Sequence, residues 1–186
     1  MNQADRELVD YILKYRCHWA GVGARNAPLP FLSLATAIAY KMAMWGYLLF
    51  SGGAKGMDSA FEEGVDKARK KGAFGRLKRI YYAREATQEA MDIAGRFHPY
   101  WANIKQDYVK QLHGRNAFQI LGPSLSVPVM GVLCWTPDGC NNHADRGVRT
   151  GGTGTAISIA NAWSVPISNL HDPAEFHKWQ AWANAI

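Results

Sequence analysis

The sequence is poor in cysteine and contains no long apolar run. Its three cysteines are an odd number in a chain of 186 residues, which argues against a disulfide framework. Cys134, Cys140 and His143 include no CxxC pair and have no evident fourth ligand, so we expect no metal site, and no motif calls for a cofactor. No segment approaches the roughly 18 apolar residues of a membrane span, and the polar start, Met1 to Glu7, is unlike a signal peptide. We therefore expect a cytoplasmic protein with no membrane partner.

Charged residues are also few. They make up 19% of the chain against 48% hydrophobic residues, a balance that excludes intrinsic disorder and favours a buried core. The formal net charge of +6 suits an anionic partner. Since the sequence shows no internal repeat, low-complexity segment or linker, it predicts a single domain over residues 1–186.

Short apolar runs alternate with segments of helical periodicity along the chain. The predicted strands cover residues 17–22, 47–50, 79–83, 127–135 and 165–169. The predicted helices cover residues 5–15, 31–45, 59–71, 87–119 with an interruption near 95–99, 155–163 and 173–185. Alternation of this kind implies βαβ units and a parallel sheet. The expected fold class is α/β: a single Rossmann-like domain whose parallel sheet of about five strands is flanked by helices on both faces.

Three glycine-rich turns each follow a predicted strand. Glycine permits positive φ and close approach of a phosphate, and a turn that opens a helix presents free backbone amides to an anion. Ligands of parallel sheets lie beyond the carboxyl ends of the strands, so we expect the turns to share one phosphate-bearing ligand. The predicted ligand-binding residues in these turns are Gly23, Ala24, Arg25, Ser51, Gly52, Gly53, Ala54, Lys55, Gly56, Asp58, Gly151, Gly152, Thr153, Gly154 and Thr155.

Further candidate ligand-binding residues lie outside the three glycine-rich turns. The guanidinium of Arg115 can fork onto phosphate oxygens, and Asn116 is a candidate contact to a base or a ribose. Trp135, at the end of a predicted strand, is a candidate for stacking on a base. Asp58 is equally suited to capping the following helix and to accepting a ribose hydroxyl. We predict no catalytic residue, because no histidine has a recognisable partner in sequence. A long polar loop, residues 137–149, resembles a functional flap, in which Arg146 and Arg149 could close over a ligand, although a solvated loop is the simpler interpretation.

Taken in order, these motifs resemble the SLOG superfamily. That group includes the Rossmann-like domain of DNA-processing protein A (DprA) and the lonely-guy (LOG) phosphoribohydrolases. The resemblance spans residues 17–170 and rests on four motifs: Gly23-Ala24-Arg25, Ser51-Gly52-Gly53-Ala54-x-Gly56-x-Asp58, Arg115-Asn116, and Gly151-Gly152-Thr153-Gly154-Thr155. The second motif looks most like the DprA side, and the third and fourth look partly like LOG.

The resemblance implies a nucleotide-derived ligand. LOG enzymes carry a glutamate shortly after their glycine block, whereas this chain continues with Thr155-Ala156-Ile157-Ser158 and has no carboxylate there. We therefore expect non-catalytic sensing or sequestration of a phosphate-containing molecule such as an ADP-ribose derivative or a cyclic oligonucleotide signal. The alternatives are LOG-like hydrolysis of a nucleoside monophosphate and DprA-like binding of single-stranded DNA, to which the basic stretch 67–79 would contribute. Related proteins form homodimers or larger assemblies, and three tryptophans would suit such an interface: Trp163, Trp179 and Trp182.

Overall fold

Five parallel strands form the centre of the molecule in the computed structural model, which describes residues 1–185. They are β1 (His18–Gly23), β2 (Leu48–Ser51), β3 (Lys78–Ile80), β4 (Val132–Trp135) and β5 (Ile167–Asn169). Their order across the sheet is β3-β2-β1-β4-β5, and every neighbouring pair is parallel. The predicted α/β class and five-stranded parallel sheet are confirmed.

Seven α-helices connect and cover these strands within residues 1–185. They are α1 (Gln3–Tyr15), α2 (Leu29–Met44), α3 (Met57–Lys70), α4 (Gln88–Phe97), α5 (Asp107–Leu121), α6 (Thr153–Ala162) and α7 (Pro173–Asn184). The predicted helical segment 87–119 is interrupted where expected: α4 ends at Phe97, and the backbone of His98 is extended because the following proline disfavours the helical conformation. None of these helices combines the length and the apolar content that crossing a bilayer would require.

The last strands are shorter than predicted, above all β4. The predicted strand begins at residue 127, but the amides of Val127 and Val129 donate to carbonyls at the end of α5, at 3.0 and 2.8 Å. Pro128 between them has no amide to offer a sheet. This segment therefore closes the turn after α5, and β4 begins only at Val132.

Each face of the sheet has its own core, because successive strand residues point to opposite sides. Ala20 and Val22 of β1 pack with residues of α1, α4, α5 and α6. Trp19 of the same strand packs with residues of α2, α3 and α7, together with Leu133 and Trp135 of β4. Helices therefore cover both faces, as predicted.

Helices α2 and α3 approach each other closely at Gly64. A Cβ atom at Gly64 would lie 2.2 Å from the carbonyl oxygen of Thr36, and the Thr36 hydroxyl donates to the carbonyl of Ala60 at 3.0 Å. This contact holds α3, and with it the glycine-rich turn that precedes α3, against α2.

Helix α7 packs on α2 through aromatic side chains. Trp182 makes an edge-to-face contact with Trp45, with ring centroids 5.3 Å apart, and a second one with Trp179 at 5.4 Å. Lys41 donates to the carbonyl of Trp182 at 2.6 Å. Two of the three tryptophans expected at a subunit interface therefore contribute to packing within the chain, while Trp163 is partly exposed beside Phe97. The homodimer stays a prediction.

Candidate functional site

A cavity lies where the strand order reverses. The chain places β2 and β3 on one side of β1, and β4 and β5 on the other. In parallel α/β sheets such a switch point opens a crevice beyond the carboxyl ends of the strands. The cavity there has a volume of about 640 Å³, within the range of ~300–1,000 Å³ that small-molecule sites occupy. We call it the switch-point cavity.

The switch-point cavity brings together much of the predicted site. Helix α5 forms one wall, and the turns after β1 and before α6 form another. The predicted residues that line it are Gly23, Ala24, Arg25, Ala54, Asp58, Arg115, Asn116, Gly151, Gly152 and Thr153. The predicted residues outside its lining are Ser51, Gly52, Gly53, Lys55, Gly56, Trp135, Gly154 and Thr155.

The N-terminus of α6 presents two free amides to the cavity. The amides of Gly154 and Thr155 donate to the carbonyls of Gly151 and Gly152, at 3.2 Å each. The amides of Gly152 and Thr153 have no acceptor within residues 1–185. Gly151 adopts φ +61°, a conformation that glycine takes without strain, and this turns the chain into the helix. Free amides at a helix start form a site for an anion.

Three arginines line the same cavity as these amides. Arg25 and Arg149 are exposed at the rim of the cavity, and Arg149 donates to the carbonyl of Pro137 at 3.1 Å. Arg115 lies deeper and donates to the carbonyl of Gly52. Among the lining residues the only carboxylate is Asp58. The cavity is therefore cationic at its rim, and guanidinium groups suit phosphate oxygens.

The turn after β2 is occupied by the carboxylate of Asp58. Its Oδ2 accepts hydrogen bonds from the amides of Gly52 and Ala54, at 3.2 and 3.4 Å. The Gly53 amide lies 3.5 Å from the hydroxyl of Ser51. This corrects the expectation that Gly52 and Ala54 offer free amides to a phosphate. It also corrects the expectation of a helix cap, since Asp58 binds the preceding turn rather than amides of α3.

Burial shifts the protonation of Asp58. Its exposed fraction is 3%, and desolvation raises its pKa to about 6, while Arg115 and the amides of Ala54 and Gly52 act in the opposite direction. The second oxygen, Oδ1, makes no hydrogen bond within residues 1–185. A carboxyl group with a raised pKa on a cavity wall is a candidate for ligand contact or proton transfer.

Close glycine contacts hold the turns after β1 and β2 together. Gly56 has φ +85°, and a Cβ atom there would lie 2.6 Å from the carbonyl oxygen of Ala24. A Cβ atom at Gly23 would lie 2.7 Å from the Met57 side chain. Gly23 and Gly56 therefore permit backbone contact between the two turns, and Gly56 serves this packing without lining the cavity.

Gly154 and Thr155 support the cavity wall from behind. The Thr155 hydroxyl lies 2.9 Å from Nδ1 of His113 and 3.2 Å from a guanidinium nitrogen of Arg146. A Cβ atom at Gly154 would lie 2.4 Å from Nε of Arg146. Burial, His98 and Arg146 lower the pKa of His113 to about 4, so this cavity-lining imidazole is neutral at pH 7. Gly154 and Thr155 position side chains rather than a phosphate.

Trp135 is a core residue. Its ring packs on Phe31, with centroids 5.4 Å apart, on the face of the sheet that α2 covers. Because successive side chains of a strand point to opposite faces of the sheet, Cys134 lies on the face that α5 covers and Trp135 lies on the other face. The expectation that Trp135 stacks on a base from the end of β4 is therefore corrected.

Sequence reasoning missed several cavity residues on α5 and in the loops. Leu112 and Gln119 line the cavity beside the predicted Arg115 and Asn116, and the spacing of these four residues is that of one helix face. That spacing was the available signal for Gln119. The other lining residues outside the predicted ligand-binding set are Val22, Asn26, Val109, His113, Pro137, Arg149 and Thr150. Of these, Arg149 lies in the long loop that the sequence analysis describes as able to close over a ligand.

Comparison with known proteins finds no matching family model, curated sequence or solved structure. No group of three or more His, Cys, Asp or Glu side chains in residues 1–185 is arranged to hold a metal ion. The chemistry of the switch-point cavity is therefore the basis for assigning a function.

Proposed function

We propose that this protein binds a phosphate-bearing, nucleotide-derived small molecule in the switch-point cavity, as a sensor or a store. The observation that carries the proposal is the pairing of two free amides, those of Gly152 and Thr153, with arginines on the same cavity. Hydrogen bonds to a charged group contribute about 1.5–3 kcal/mol each, so a phosphate held by both kinds of donor is bound firmly. The motif order also supports placing the chain in the SLOG superfamily.

The rest of the cavity suits the organic part of such a ligand. At about 640 Å³ the space extends well beyond the α6 terminus, and Asn116 and Gln119 line it from α5. Asn116 is tied to the phosphate end, because its Nδ2 donates to the carbonyl of Gly152 at 3.3 Å. Sugar and base would therefore lie along α5, with the phosphate at the rim.

Isothermal titration calorimetry tests the proposal. The probes are ADP-ribose, cyclic oligonucleotides, the four nucleoside 5′-monophosphates and ribose 5-phosphate. We expect at least one to bind the wild type, and R149Q to bind it roughly 10- to 150-fold more weakly, the equivalent of ~1.5–3 kcal/mol. The matched control is R84Q, which removes an exposed arginine outside the cavity. Absence of heat with every probe at about millimolar concentration would sink the proposal.

Asp58 favours a second candidate, the hydrolysis of a nucleoside monophosphate. Glycosidic cleavage needs a carboxyl group near the bond, and a pKa of about 6 suits an acid that works near neutrality. Asp58 therefore offers a carboxyl group that the α6 turn lacks. Incubation with AMP, followed by chromatography of free adenine, separates the candidates. If the wild type releases adenine and D58N does not, the protein is an enzyme. If the wild type binds AMP but releases no adenine, it is a binding protein.

Single-stranded DNA receives less support. The basic stretch 67–79 lies outside the cavity lining, and several of its cations are paired within the chain. Lys67 contacts Glu63 at 2.7 Å, and Lys78 contacts Asp66 at 2.6 Å. Paired cations release fewer counterions from a phosphate backbone, which reduces the expected affinity for DNA.

A further inference from the structure

We infer that Gln119 binds the heterocyclic ring of the ligand, so that the switch-point cavity prefers a ligand that carries a nucleobase to a bare sugar phosphate. This inference rests on the proposed function and adds a specificity residue to it. The feature behind it is a buried carboxamide that the protein itself leaves unpaired.

Gln119 is almost fully buried and lacks hydrogen bonds. Its exposed fraction is 1%, and neither Nε2 nor Oε1 has a partner in the described chain. Buried polar groups of folded proteins are nearly always paired, because each unpaired group is strongly disfavoured. An apolar side chain of similar size would avoid this cost in the free protein. Of the described residues with unpaired buried side-chain atoms, Gln119 is the one that leaves both a donor and an acceptor unpaired on the wall of the cavity.

The position of Gln119 separates it from the phosphate end. Arg25, Arg149, Gly151 and Gly152 are all exposed at the rim. At the inner end, Val22 is 3% and Gln119 1% exposed, and both line the same cavity. A strongly hydrated phosphate fits the rim, and a flat, weakly hydrated ring fits the floor. Gln119 therefore lies where a base would end.

The carboxamide matches the edge of a base. It offers an N–H donor and a carbonyl acceptor side by side in one plane. Nucleobases present a neighbouring acceptor and donor on one edge, as adenine does with N7 and N6, and a bidentate glutamine pairs with both. Such a pair would satisfy both orphaned atoms at once. The side chain of Gln119 therefore favours a ligand whose ring has a hydrogen-bond donor next to an acceptor.

The test measures how much the base contributes to binding. AMP, GMP, CMP, UMP and ribose 5-phosphate are titrated into the wild type and into Q119M, which keeps the length of the side chain and removes its polar atoms. In the wild type we expect at least one mononucleotide to bind roughly 5- to 150-fold more tightly than ribose 5-phosphate, the equivalent of ~1–3 kcal/mol. In Q119M this ratio should fall close to one, with ribose 5-phosphate binding unchanged. Q119L serves as a second apolar variant in case Q119M does not fold.

A matched control and a stability measurement separate recognition from structure. Gln111 lies on the same helix, outside the cavity lining, and Q111M should keep the wild-type ratio. Urea unfolding should show Q119M to be at least as stable as the wild type, because two unpaired buried atoms are gone. A base preference that survives in Q119M, or a loss of stability without loss of preference, would overturn the inference.

The two proposals fail differently. If none of the probes binds the wild type, ADP-ribose and the cyclic oligonucleotides included, the proposed function fails and the role of Gln119 fails with it. If ribose 5-phosphate binds and no base improves its affinity, the phosphate site stands and only the inference about Gln119 is overturned.

Discussion

Replacing Asp58 by asparagine should stabilise the folded protein at neutral pH and have little effect in acid. Asparagine keeps a carbonyl oxygen that can accept from the amides of Gly52 and Ala54, which now donate to the carboxylate at 3.2 and 3.4 Å. It removes the buried charge. The substitution therefore isolates the free energy of holding a carboxylate at this wall of the cavity.

The size and sign of the effect follow from the pKa of Asp58. Burial raises the pKa from an ordinary 3.8 to about 6. Between these values the folded state holds a proton that the unfolded state has lost, so stability falls as pH rises through this window and then levels off above it. A shift of about two pKa units corresponds to on the order of 3 kcal/mol at 1.36 kcal/mol per unit. The wild type should therefore be less stable than D58N by about that amount above pH ~7.

Urea unfolding at several values between about pH 4 and about pH 8 measures this difference. The free energy of unfolding of D58N minus that of the wild type should rise from near zero to its plateau across the window. D10N, which changes an exposed aspartate on α1, is the matched control and should show no such rise. A difference that is equal at both ends of the pH range would refute the reasoning.

The titration of His113 changes the stability of the protein with pH in the opposite direction to that of Asp58. Its pKa falls from an ordinary 6.5 to about 4, so the stability it contributes is present above 6.5 and is lost as pH falls towards 4. In the wild type this loss offsets the gain from protonating Asp58 over part of the range. Because His113 is present in both proteins, the difference between D58N and the wild type cancels its contribution.

Three further predictions concern packing and assembly. G64A should lower the free energy of unfolding by about 1–3 kcal/mol, because the new Cβ would lie 2.2 Å from the Thr36 carbonyl oxygen; unchanged urea stability would contradict the close contact of α2 and α3. G154A should displace Arg146, whose Nε lies 2.4 Å from the position of the new Cβ, and should lower both the melting temperature and mononucleotide affinity; a variant that melts and binds like the wild type would count against the role of Arg146 as a wall support. Light scattering should give the mass of a homodimer, and a monomer at working concentration would rule out the predicted assembly.

Much of the fold could be predicted from the sequence because local signals agreed with one another. The apolar run 47–50, for example, leads into a glycine-rich turn, and a segment of helical periodicity follows that turn. The predicted strand β4 was too long because backbone amides in its first part donate to carbonyls outside the sheet. Proline at residue 128 was compatible with a strand start, and only the packing of the α5 turn decided against it.

The site was only partly predictable because the direction of a backbone amide depends on its neighbours. The turns after β2 and before α6 look alike in sequence, yet the first binds its own Asp58 and the second keeps the amides of Gly152 and Thr153 free. Gln119 had no motif to mark it, and its burial depends on how α5 lies against the sheet.

The sequence by itself determined an α/β protein with a parallel sheet and glycine turns at the carboxyl ends of its strands, because hydrophobic period and glycine placement are local properties of the chain. Tertiary structure alone decided which turns meet, through the strand order that opens the crevice between β1 and β4. It also decided which amides remain open, which arginines face them and which buried carboxamide lacks a partner. Burial and the choice of hydrogen-bond partner depend on how the whole chain packs, so the motifs of the sequence left them open.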